Sequence, residues 1–124
     1  MDKDIRLVRE HYAAIRDLIT QNAGGWNDAA TRARVRVLCA SANAALEDFE
    51  CRQRFRSIER HAGELYSADQ HRKWDRRHMS GAEYLRLQIL IALETVNTRL
   101  FSLDTLRERA SRTGGAAAPQ PPSI

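Results

Sequence analysis

Aromatic residues make up only 6% of this 124-residue sequence, so a core must be assembled from aliphatic side chains. Long apolar runs are missing as well. The longest, Ile89 to Leu93, is far short of the ~20 residues that span a bilayer, and no membrane partner is expected. The N-terminus, Met1-Asp2-Lys3-Asp4-Ile5-Arg6, is charged where a secretory leader would be apolar, which points to the cytoplasm. Cysteine occurs twice. Cys39 and Cys51 are twelve residues apart on what reads as one helix, or about 18 Å, beyond disulfide reach, so reduced core thiols are expected. Lysine is nearly absent, with eighteen of the twenty basic residues being Arg and only Lys3 and Lys73 Lys. No nucleophile elbow, phosphate-binding glycine loop or cysteine-rich cluster occurs, and no cofactor is expected.

What is present is helical periodicity. Apolar residues at 43% and charged residues at 29% suit one folded domain. Ile5, Val8, Tyr12, Ile15 and Ile19 recur at steps of three and four and predict a helix over 3–22, ended by Gly24-Gly25. Asn27 is the predicted N-cap of the next helix, with Asp28 favouring its positive end. Trp26 is placed as a hydrophobic staple onto the first turns. Val35, Leu38, Ala42, Ala45 and Phe49 continue the stripe, which resumes at Phe55, Ile58, Ala62 and Leu65. The six-residue step from Phe49 to Phe55 is one short of a heptad. With no Gly or Pro between Ala29 and Ala62, the spacing predicts one long bent helix over 27–66, or two helices kinked near Arg52. Ser67 with Gln70 predicts a short connecting helix, and Ser80 with Glu83 opens the last one. Leu85, Ile89, Leu93, Val96, Leu100 and Leu103 mark its stripe, widened by Leu87, Leu90, Ile91, Phe101 and Leu106. That breadth predicts a central helix with surface left for self-association as a homo-oligomer. It should stop near Arg112, before Thr113-Gly114-Gly115. Strand-like alternation and internal repeats are absent. The expected fold is therefore all-α, an antiparallel helical bundle of three long helices plus one short connecting helix over residues 1–112, with a disordered Gly/Ala/Pro-rich tail over 113–124.

Two groups carry candidate chemistry. His71, Asp75 and His78 fall at i, i+4 and i+7, so a helix would offer two imidazoles and a carboxylate on one face to a metal. Arg72, Lys73, Arg76 and Arg77 crowd that segment with positive charge, and a solvated polar face without metal is the expectation. Arg56-Ser57-Ile58-Glu59-Arg60-His61 and the run from Arg72 to His78 each place a His a few residues after an Arg. This pattern resembles the motif of the HEPN helical-bundle ribonucleases. The resemblance implies metal-independent RNA cleavage near a dimer interface, with His as general acid or base and Arg stabilising developing charge. Ser57 and Lys73 stand where that family commonly has Asn after the Arg.

The remaining signal is basic surface. Twenty basic against sixteen acidic residues leave a net charge of +4, a mild lean toward anionic partners. Arg52, Arg56 and Arg60 form a ridge at i, i+4 and i+8, and Arg32 with Arg36 does the same earlier. Asp48 four residues before Arg52 and Glu64 four after Arg60 read as ordinary pairing along a helix face. Arg72, Lys73, Trp74, Arg76 and Arg77 add a cationic segment with an aromatic suited to stacking. The expected function is a non-enzymatic interaction or accessory protein, a small subunit, adaptor or inhibitor. It would meet a protein or nucleoprotein through Arg52, Arg56, Arg60, Arg72, Lys73, Trp74, Arg76 and Arg77. Direct RNA or DNA binding, or HEPN-like cleavage, is the alternative.

Overall fold

The computed structural model describes residues 2–21, 28–66 and 81–117, which form four α-helices and no strand. The first, α1 (Lys3–Gln21), buries Ile5, Val8, Tyr12, Ile15 and Ile19, the stripe that the spacing predicts. Asn27, Trp26 and the Gly24-Gly25 stop lie outside the described residues. The cap of α2 (Ala29–Ala45) is Asp28, whose carboxylate accepts the Thr31 N–H at 3.0 Å and the Thr31 hydroxyl at 2.6 Å. These bonds hold the Asp28 carboxyl below its ordinary pKa.

The predicted long helix over 27–66 is two helices, and the break falls at 46–48 rather than near Arg52. Leu46 takes an extended conformation and is 4% exposed, while its N–H still bonds the Ala42 carbonyl at 3.2 Å. Asp48, also extended, caps α3 (Phe49–Leu65) by accepting the Cys51 N–H at 3.0 Å. The slipped stripe has this cause: Leu46 fills the core position expected of Phe49, and Phe49 is 78% exposed. The break also removes the straight helix from which the Cys39–Cys51 separation was reckoned. Both cysteines are buried free thiols.

The last helix, α4 (Gly81–Ala117), has 37 residues and runs through Gly114-Gly115 instead of stopping near Arg112. Glycine inside a helix costs roughly 1 kcal/mol relative to Ala and ends one only where the chain adopts a left-handed cap. Leu85, Ile89, Leu93, Val96 and Leu100 are buried together with Ala92, and Leu90 and Leu103 are packed against them. Leu87, Ile91, Phe101 and Leu106 are exposed. The broad apolar arc therefore does not make α4 central. It packs against α3 and α1, and α2 packs against the same two helices. The four helices thus share one core, each lying mainly against two others. The predicted connecting helix falls in 67–80, outside the described residues.

Candidate functional site

Charge is unevenly distributed over this frame. Helix α2 carries Arg32, Arg34 and Arg36 and no acid, and α3 carries Arg52, Arg54, Arg56 and Arg60 against Glu50, Glu59 and Glu64. Among the described residues only Arg36 of these seven forms an ion pair, to Glu59 across the two helices at 3.4 Å. That pair is well exposed and contributes little to stability. The pairing expected along α3 is not made: no ion pair joins Asp48 to Arg52 or Glu64 to Arg60 among the described residues. Asp48 is instead held by Arg99 of α4.

The break at 46–48 folds the two arginine rows back on each other. Ala29, Arg32, Ala33, Arg36, Val37, Glu59 and Gly63 line a shallow groove of about 520 Å³ between α2 and α3. At ~100° per residue, Arg52, Arg56, Glu59 and Gly63 fall within about 60° of one another around α3, and Arg60 lies about 40° further out. One face thus gathers Arg32, Arg36, Arg56 and Arg60, all exposed, and the half-buried Arg52. Glu59 is the acid among them. By the same rotation Arg34 lies about 160° around α2 from Arg36, and Arg54 about 160° around α3 from Arg56. A Cβ built on Gly63 would meet nothing within 4 Å, so the groove floor is open.

The second arginine cluster is structural, and the sequence reading missed it. Arg99 donates to Asp48 through Nε at 3.2 Å and Nη2 at 2.9 Å, and its Nε lies 3.8 Å from Glu50. The Arg99 guanidinium holds the Asp48 carboxyl below its ordinary range, and the carboxylate raises Arg99 in turn. Arg107 makes a similar clamp on the chain start, 3.0 Å from Asp2 and 2.7 Å from Asp4. These pairs span 51 and more than 100 residues, where helix-face spacing carries no signal. Burial pushes the Cys39 and Cys51 thiols up to about 12, so neither supplies a thiolate nucleophile at neutral pH.

Arg56 and His61 share α3 but lie five residues apart, about 140° around the helix. His61 Nδ1 is 3.3 Å from the Ser57 hydroxyl. The two side chains therefore leave α3 in different directions. Arg72, Lys73, Trp74, Arg76 and Arg77, like His71, Asp75 and His78, lie outside the described residues. Among the described residues no group of three or more His, Cys, Asp or Glu side chains could hold a metal, and no helix is long and apolar enough to cross a membrane. Comparison with family models, curated proteins and solved structures gives no match.

Proposed function

We propose that this chain is a non-enzymatic interaction protein, a rigid helical platform that meets an anionic protein or nucleoprotein partner through the arginine face of α2 and α3. The observation that carries the reading is the gathering of Arg32, Arg36, Arg52, Arg56 and Arg60 on one face where, among the described residues, Glu59 is the ion-pair partner. Exposed guanidinium groups on a helical surface suit recognition of carboxylates or phosphates. The platform is an antiparallel bundle in this reading. Supporting it, Arg107 of α4 reaches Asp2 and Asp4 while Glu94 accepts from Tyr12, and Arg99 reaches Asp48 at the start of α3. Self-association is a secondary reading. It is favoured by Tyr84, Leu87 and Ile91, exposed at steps of three and four on α4.

Capture from the native host with the full chain as bait tests the proposal, run with and without nuclease. Partner recovery should fall at least several-fold for the Arg52→Ala, Arg56→Ala, Arg60→Ala triple variant. Full recovery by that variant, with its helical circular dichroism intact, would remove the basis of the reading.

A further inference from the structure

We infer that the α2–α3 arginine face takes double-stranded nucleic acid, gripped through its phosphates without regard to sequence. The inference rests on the proposed function and narrows its partner.

Geometry supplies the first argument. Arg32 and Arg36 are four residues apart on α2, and Arg52, Arg56 and Arg60 repeat that spacing on α3, a rise of about 6 Å per step. Packed helices have axes ~8–10 Å apart, so the long side chains of the two rows can reach phosphates on both sides of a duplex groove, whose major width is ~12 Å. Ala29, Ala33, Val37 and Gly63 line the groove beside the rows, and none has a side chain long enough to hold a rigid backbone off the guanidinium groups. Glu59, the acid in the groove, already pairs with Arg36 at 3.4 Å, so the face keeps a large positive excess.

What lines the groove separates a duplex from other polyanions. An acidic folded protein would favour an aromatic or Arg-matched anchor at the centre of its interface, and the exposed branched side chain of the groove, Val37, is of a type under-represented at such anchors. A single strand would require stacking platforms, yet the exposed aromatic of α3, Phe49, sits at the helix start, ten residues from Glu59. Among the described residues of the groove no Asn or Gln is available to read adenine edges, and Arg36, a side chain suited to guanine, is already paired with Glu59. Phosphates are what the arginines of an open surface meet first, and phosphate contact positions without specifying sequence.

Fluorescence polarisation with two unrelated 20-base-pair DNA duplexes, one of their single strands and a polyglutamate peptide tests this on the full chain. Both duplexes should bind with dissociation constants within about threefold of each other, and at least ~10-fold more tightly than the single strand or the peptide. The slope of log K against log salt should be about −3 to −5, near −0.9 per phosphate neutralised. It should shrink by about two units in the Arg32→Gln, Arg36→Gln variant and again in the Arg56→Gln, Arg60→Gln variant. The Arg34→Gln, Arg54→Gln variant, off the face, should bind as the parent does. Absent duplex binding, equal binding of polyglutamate, or a slope indifferent to the face variants would overturn the inference. If duplex fails while the triple variant still loses its host partner, the inference falls and the interaction reading stands. If the partner is also retained, both fall.

Discussion

Asp48 serves two structures at once. Its carboxylate caps α3 through the Cys51 N–H and also receives the Arg99 guanidinium from α4, so one side chain ends a loop, starts a helix and ties that helix to its neighbour. An N-cap contributes about 0.5–2 kcal/mol, and Asp48→Ala should destabilise the domain by about 1–3 kcal/mol in urea denaturation, the loss of the charge-assisted bonds to Arg99 being included. Asp48→Asn retains an acceptor for the cap and should lose less. The pH dependence follows from the direction of the shift. Arg99 and Arg107 hold Asp48 and Asp4 below the ordinary 3.8 of an unfolded Asp. Stabilisation is therefore complete above that value and disappears as pH falls through the lower folded pKa. The gap in melting temperature between the parent and Asp48→Asn should be full at pH 6 and close progressively below about pH 3.8. A gap that persists at pH 2 would show that Arg99 is not the source of the effect.

At the scale of elements, α4 tests how far periodicity can be trusted. Ile89 is fully buried and Ile91, two positions on, is 51% exposed, because two residues turn a helix by ~200°. Ile89→Ala should cost ~2–5 kcal/mol and Ile91→Ala no more than ~0.5 kcal/mol, as read from chemical denaturation midpoints. Ile89→Asp should abolish folding. The C-terminal end of α4 supplies another test. Among the described residues its last buried one is Leu100 and its last ion pair to another helix is Arg107 with Asp4, so removing residues 113–124 should shift the melting temperature by less than about 2 °C. The helix faces of α1 and α3 were legible because steps of three and four leave one phase possible. The break was not, since Leu46-Glu47-Asp48 contains neither Gly nor Pro. Its signals were the six-residue slip and an Asp three positions before Cys51. Asp48 was read instead as an i, i+4 partner of Arg52, a pairing that presumes an unbroken helix. Arg52, Arg56 and Arg60 were legible as a row, but their convergence with Arg32 and Arg36 depends on that break and could not precede it.

Across the whole molecule the net charge is only +4, yet five arginines share the α2–α3 face, where their mutual repulsion works against folding. Successive arginines in each row of the α2–α3 face are about 6 Å apart along the helix, within the ~10 Å screening length at 0.1 M salt, and among the described residues Glu59 is the acid that lines the groove. Like charges held this close repel, and they lower the stability of the compact state. A face kept for solubility alone would be better served by interspersed acids, and the crowding is a cost that the proposed binding of a polyanion would relieve. This has a measurable consequence in the unbound protein. Raising NaCl from 20 to 300 mM should increase the melting temperature by a few degrees, because screening relieves the face more than it weakens the partly buried Asp48–Arg99 pair. The Arg32→Gln, Arg56→Gln, Arg60→Gln variant should melt higher than the parent at 20 mM NaCl and respond less to added salt. Substitutions that stabilise the fold while abolishing partner capture would separate the two roles of this surface. A variant that melts lower at low salt would instead mean that these guanidinium groups hold the helices together, and the face would lose its claim to be a binding surface.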